Sequence, residues 1–319
     1  MKQTHYIYVF LLLLVSATFP SCIQDNLSDC ISDKRIYFNY EQSLLSQKSK
    51  GIDPDDIARM NLFVFDENGL FIKEYVDETP QIGPDYFMTV TDLKSGYYRF
   101  VAWGNLKEHY AISSALIAGQ TTFEELRISL ECIKNDEVED ELTSLFFATH
   151  TGNNTIEVLQ MNNQFIRLDL VKNTYKINMT VSGMDSTLTA KYDYKVNIAD
   201  NNGIYKFDND FAACRDFVYT QPCTINKEQN GDLESSITVL RLTADRQPLL
   251  SLVNKQTGEV VVKENLVELI QAVNEMGASI DFKKTYEFDI RYELNRNSPA
   301  IIVIYVNGWK LIRQSGELN

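Results

Sequence analysis

The chain has 319 residues, 44% of them hydrophobic, with a formal net charge of −14. That hydrophobic fraction is enough to build cores and excludes a disordered polymer. The acidic balance excludes nucleic acid and anionic lipid headgroups as partners held by charge.

The first feature in chain order is an export signal. Lys2 is followed by an unbroken apolar run, Ile7–Val15, and then by small and polar residues up to Ser21. A charged start, a short apolar middle and a small-residue end describe a cleaved leader, and the run falls short of the ~20 apolar residues a spanning helix needs. Cys22 sits where the leader ends, and Asp25, Asn26, Ser28 and Asp29 follow with no second hydrophobic stretch. A cysteine at that point is where bacterial lipoprotein processing would attach lipid and cut. Residues 1–21 are then signal peptide and 22–34 a lipidated tether. The alternative is ordinary secretion, with Cys22 as a tail thiol. Phe19-Pro20-Ser21 departs from the usual Leu-Ala-Gly before such a cysteine. Removing 21 residues takes away one lysine, so the mature balance moves from −14 to −15. Membrane attachment must therefore come from covalent lipid, and three acyl chains hold firmly where one is marginal.

Beyond the tether the chain reads as strands. Arg35–Tyr40 alternates, and Met60–Phe65, Asp66-Glu67-Asn68-Gly69 and Leu70–Ile72 form a strand, an Asn-Gly turn and a strand, the signal of a hairpin. Tyr97–Trp103 reads as a buried strand, Arg127–Ile133 alternates, Glu137–Glu141 reads as an acidic loop, and Thr155–Leu159 as a further strand. Phe165–Val171 and Tyr175–Val181 open a new run, which places a domain boundary near Asn162–Gln164 and predicts domains over 35–162 and 163–319. Tyr192–Ile198 and Gly203–Phe207 flank an Asp200–Gly203 turn, and Ser236–Leu242, Leu249–Val253 and Val260–Val262 follow. Asn265–Asn274 is the clearest helix, with Leu266, Leu269, Ile270 and Val273 on one face and Gly277 as its stop. Tyr286–Leu294 alternates strictly, and Ala300–Val306 is a long apolar closing strand before Asn307-Gly308. Many short strands and little helix predict an all-β chain of β-sandwiches, with a short helix in the second.

Little in the sequence points to catalysis. His5 leaves with the leader, and His109 and His150 fall in predicted loops. No Ser-nucleophile elbow, phosphate-binding loop, dinucleotide fingerprint or zinc-protease motif occurs. Asp53-Pro54-Asp55-Asp56 and Asp200-Asn201-Asn202-Gly203 resemble calcium ligands only superficially and read as solvated turns. Tyr97, Tyr98 and Trp103 could stack sugars, with core packing the favoured reading. No enzyme, metal or cofactor is expected. Cys30, Cys132, Cys214 and Cys223 could form two disulfides with three connectivities. Cys214 and Cys223 lie close in sequence, which favours a Cys214–Cys223 bridge and leaves Cys30–Cys132 as the other.

The ordered set of motifs resembles a known family. A cysteine ending the leader precedes Leu27-Ser28-Asp29-Cys30. Leu62–Gly69, Leu168–Val181, Asn201-Asn202-Gly203, Tyr205–Asn209, Val239–Thr243, Asn265–Ile270 and Ile304–Trp309 then follow in order. This pattern is similar to the fimbrial anchor lipoproteins, or minor fimbrial subunits, of the Bacteroidetes fimbrillin superfamily. The likeness spans essentially the whole chain, and Ile31 stands where the family often has proline. It implies two transthyretin-like β-sandwich domains in tandem, an outer-membrane lipid anchor at the cell surface, a fimbrial pilin subunit as partner, and a place at the base of a fimbria. A tip adhesin of the same superfamily and a surface glycan-binding lipoprotein are the alternatives. The closing strand, Ile301, Ile302, Val303, Ile304, Tyr305 and Val306, is either the last strand of its own sheet or a strand exchanged with a neighbouring subunit.

Overall fold

A computed structural model describes residues 33–40, 57–83, 85–113, 115–150, 155–159, 164–227, 231–294 and 301–314. In the first half run β1 (Lys34–Tyr40), β2 (Met60–Asp66), β3 (Phe71–Asp77), β4 (Phe87–Val90), β5 (Gly96–Gly104), β6 (Tyr110–Ile112), β7 (Arg127–Leu130), β8 (Glu137–Val138), β9 (Phe146–Thr149), β10 (Ile156–Val158) and β11 (Phe165–Lys172). One sheet takes the order β3-β2-β5-β9-β11-β1-β4, with β10 added on β5. Its two edges come together, so the sheet folds over on itself. The Tyr75 hydroxyl of β3 donates to the Thr91 carbonyl just past β4 at 2.6 Å, and the Tyr86 hydroxyl donates to Asp77 at 3.0 Å. The expected β2–β3 hairpin is present. The Asp66 carboxylate accepts from the Asn68 and Leu70 amides, and Gly69 takes the positive φ of +79° that its turn requires.

Alternation sends β2 into two cores at once. Met60, Leu62 and Val64 face the core enclosed by the folded sheet, while Phe63 and Phe65 face a second core continuous with the other half of the chain. A strand covered on both faces is apolar throughout, which is why MNLFVF lacks an alternating pattern. Trp103 is fully buried and bridges the halves, edge-on to Phe147 at 4.9 Å and tilted against Tyr205 at 5.5 Å. The core reading holds for it. Tyr97, by contrast, is 48% exposed.

The second half contains β12 (Thr174–Ser182), α1 (Ser186–Lys191), β13 (Tyr194–Asp200), β14 (Ile204–Lys206), β15 (Phe217–Pro222), β16 (Thr224–Asn226), β17 (Asp232–Leu240), β18 (Leu249–Asn254), β19 (Val260–Asn265), α2 (Leu266–Glu275), β20 (Glu287–Leu294), β21 (Ile301–Val306) and β22 (Trp309–Gln314). Sheet β16-β17-β12-β20-β21-β22 faces sheet β19-β18-β13-β15-β8. The fold class is therefore all-β, with the short helix α2 where the sequence places it. Asn265 caps that helix, accepting from the Val267 and Glu268 amides, and its Leu266, Leu269, Ile270 and Val273 are buried.

The two halves interlock. Strand β8 of the first half extends a second-half sheet by pairing with β15, and β14 of the second half pairs with β7. Glu137 and Val138, expected in an acidic loop, are thus partly strand. The sequence of β11 begins just past the expected boundary, yet β11 pairs with β1 and β9 inside the first sheet, and the chain changes sheet at Asn173. Asn173 is fully buried. Its amide donates to the Leu145 carbonyl at 2.7 Å, and its carbonyl accepts from the Arg241 amide and the Tyr205 hydroxyl at 2.8 and 3.0 Å. Its side-chain amide exchanges two bonds with Asn209, at 2.6 and 3.2 Å. Leaving a buried polar group unpaired costs about 1–3 kcal/mol. Asn173→Ala strands both Asn209 amide atoms and is expected to lower stability by about 2–4 kcal/mol, read by denaturant unfolding. An Asn173/Asn209 double-mutant cycle should show coupling; strictly additive losses would contradict the reciprocal pair.

Candidate anchoring and subunit-contact surfaces

Cys22 and Cys30 lie outside the described residues, as does Asp53-Pro54-Asp55-Asp56. The first described element is β1, and it is held on every side. It pairs in parallel with β11 from Arg35↔Phe165 to Tyr40↔Leu170, and antiparallel with β4 from Lys34↔Val90 to Tyr37↔Phe87. Ile36 and Phe38 point into the enclosed core, and Phe38 stacks on Tyr86. On the outer face Tyr37 touches Phe87 at 5.3 Å and Phe165 at 5.6 Å, and the Arg35 guanidinium lies 4.7 Å over Phe87. The sequence reading missed this aromatic triplet because its members come from three strands far apart in the chain. The rings are inclined at 43° and 48° to one another, so they brace β1 rather than present the flat platform on which a sugar stacks.

The closing strand β21 is paired along both edges, with β20 on one side and β22 on the other. Ile304 and Val306 are fully buried, while Val303 and Tyr305 are half-buried. Tyr305 is latched from outside by the Arg291 guanidinium at 4.2 Å and by its own bond to Glu293. The side chains of Ile301 and Ile302 are outside the described set. Strand β22 is the end of its sheet, and among the described residues it pairs with β21 and with no other strand. Its Ile312 is 65% exposed and its Trp309 39%. The apolar strand is covered by its own hairpin, and the open edge belongs to the following strand.

The Asp200–Gly203 turn is not a solvated one. The Asp200 side chain is 5% exposed and held by Arg246 at 2.5 Å, and Asn202 is fully buried, accepting from the Tyr219 hydroxyl at 2.7 Å. Asn202 and Gly203 are buried while Asn201 stays exposed, and Gly203 packs near Ile133 of the first half, which three polar residues before a glycine conceal. No cluster of three or more metal-ligating side chains occurs among the described residues. His109 accepts from the Thr143 amide at 3.2 Å, and His150 lies by the Arg167 carbonyl.

Cys132, Cys214 and Cys223 are free thiols, so the expected Cys214–Cys223 bridge is not formed, and Cys30–Cys132 falls outside the described residues. Strand β15 explains the miss. Cys214 packs beside Gly203, past one end of β15, whereas the Cys223 amide donates to the Tyr194 carbonyl at the other end. Six extended residues span roughly 20 Å, and a disulfide tolerates Cα separations of only about 7 Å. Burial raises the thiol pKa of Cys132 to about 11 and of Cys223 to about 12, so both stay protonated. Peptide mapping without reduction should find no peptide joining Cys214 to Cys223. Recovery of that peptide would mean that β15 does not separate the two thiols.

Comparison with known proteins gives these surfaces a context. The chain is 27% identical over 310 residues to the minor fimbrium anchoring subunit Mfa2 of Porphyromonas gingivalis, covering 95% of this chain and 92% of that protein. Its fold is similar to the solved structure of the fimbrial anchor protein Mfa2 from Porphyromonas gingivalis, with a TM-score of 0.71 at 24% identity, covering 89% of this chain and all of that one. It is equally similar, with a TM-score of 0.71 at 20% identity, to a Bacteroides thetaiotaomicron protein provisionally described as polysaccharide-binding, covering 91% of this chain and all of that one. The family model for the Fimbrillin-A associated anchor proteins Mfa1 and Mfa2 matches residues 27–315, and the chain belongs to that family.

Proposed function

We propose that this protein is an outer-membrane lipoprotein that holds a fimbria at its base, non-enzymatically, with lipid on Cys22 and a fimbrial pilin subunit on its second half. The observation that carries the reading is family membership across residues 27–315, joined to a leader that ends at a cysteine. The charge supports it too, because an acidic surface has no affinity of its own for a bacterial envelope and needs covalent lipid to stay there. On this reading the N-terminal domain runs through β11 and the C-terminal domain starts with β12. Contact with the pilin runs along the outer edge of β22, where unpaired backbone groups flank Ile312. A glycan-binding role would call for a flat exposed aromatic platform, and the inclined Tyr37–Phe87–Phe165 rings argue against one there.

Two measurements test the two ends of the proposal. Cys22→Ser should abolish acylation and move the protein out of the outer-membrane fraction. Unchanged fractionation with no lipid mass on the wild-type residue would reject the anchor. At the other end, Ile312→Asp places a charge on an exposed position and should leave thermal unfolding within a few degrees of wild type, while fimbriae appear in the medium. Ile304→Asp buries the same charge where the native residue is fully covered, and should unfold the second half. Full retention of fimbriae by a folded Ile312→Asp protein would move the contact away from this edge.

A further inference from the structure

We infer that the parallel pair β1–β11 is a shear clamp, the element that carries tension between the tether and the second half of the chain. Its biological use rests on the anchoring role proposed above, but the device itself follows from topology. Any pull transmitted by the tether enters the described fold at Lys34, the first residue of β1. The chain leaves the first sheet at Lys172, the last residue of β11, and passes through the buried Asn173 into β12. Strands β1 and β11 run in the same direction, so entry and exit lie at opposite ends of the pair. Tension then slides one strand along the other. The bonds between strands run across the direction of pull, and the whole register from Arg35↔Phe165 to Tyr40↔Leu170 must give way together. If the same strands were pulled from adjacent ends, their bonds would break in succession, like a zip.

The packing around β1 fits that task. Its second edge is paired with β4, so sliding β1 also shears a second ladder. Ile36 and Phe38 are keyed into the enclosed core, where moving by one pleat would bring polar neighbours inward. Outside, Tyr37 is wedged between Phe87 of β4 and Phe165 of β11. Asn39 donates to Asp169 across the pair at 3.3 Å. The strand at the entry point is thus secured by backbone on both edges and by side chains on both faces. Beyond it, the interlock of β7 with β14 and of β8 with β15 joins the first half to the second at places other than Asn173.

Single-molecule pulling on the chain from residue 22 to 319 tests the clamp, with handles at its two ends. A handle on residue 22 replaces the lipid, so the result does not depend on acylation, and failure of the anchor reading would show only in the fractionation of Cys22→Ser. The control geometry moves the second handle to a tag inserted after Lys94, in the exposed turn following β4. Because Lys34 pairs with Val90, that pull unzips β1 from adjacent ends. The event that releases β1, recognised by the length of residues 33–172 in the end-to-end geometry and of residues 33–94 in the control, is expected at several-fold higher force in the end-to-end geometry. Equal or lower force there would overturn the clamp. An arm without insertion pulls the Tyr37→Ser, Phe165→Ser double variant end to end. Its first-half event should fall in force while the second-half event stays put, and an unchanged first-half event would also count against the clamp.

Discussion

The crossing at Asn173 constrains everything around it. Here the chain passes from one sheet to the next with no linker, inside the protein, so a backbone amide and carbonyl must be satisfied without water. Leu145 supplies one partner from the first half, and Arg241 and Tyr205 supply the others from the second. The Tyr205 hydroxyl donates to the Asn173 carbonyl and accepts from the Arg241 amide, and burial raises its pKa well above the ordinary tyrosine value, so it remains a donor. The Arg241 guanidinium returns to the Asn209 carbonyl. A network in which each member satisfies another has one good arrangement, and the halves cannot turn about Asn173 without breaking several bonds together. The shared apolar core, with Trp103 set against Tyr205, adds to the same rigidity.

Much of this was legible in the sequence, for reasons that are local. Period-two alternation marks β11, β12 and β20 because each has one face covered and one wet. The Asn-Gly turn and the Asn265 cap are signals written within a few residues. What stayed hidden depends on residues far apart. Strands β6 and β8 are three and two residues long and exist as strands because a partner strand lies alongside. The short helix α1 rests on the Asp185 cap, one signal with no apolar stripe behind it. In the polar Asp200–Gly203 turn, Asp200 and Asn202 are covered by Arg246, Tyr219 and Leu240, and Gly203 by Leu130 and Ile133, all distant in sequence. Sequence spacing misled for the cysteines, since nine residues in a loop would bring two thiols together while nine residues containing a strand hold them apart.

The closing hairpin shows the same limit in sharper form. Composition alone makes Ile301–Val306 the conspicuous strand, since six apolar residues in a row are an aggregation hazard if left uncovered. That hazard is why the fold covers it. Backbone pairing on both edges and the Arg291–Tyr305 latch leave little for a partner to grip. The less apolar strand after it, with Lys310 along it, can tolerate an open edge, because charge discourages indiscriminate pairing. The most hydrophobic strand of a domain is thus a poor guide to its open edge; the exposed apolar side chains lie on the following strand, here Trp309 and Ile312.

An anchor differs from a repeating shaft unit in what its two ends must do. A head-to-tail assembly grows without limit when every unit carries both an open edge and a strand to fill the next. A unit that ends such an assembly must lack one of them. In this chain β1 lies between β11 and β4 and is keyed into the core through Ile36 and Phe38, so that position in the sheet is filled by the chain itself. No vacancy is left there for a strand from another subunit, whereas β22 has one edge unpaired among the described residues. The strand that fills that position is also the first strand of the described fold. Filling the sheet and starting the described fold are therefore met by the same residues, and a substitution that loosened β1 would compromise both together.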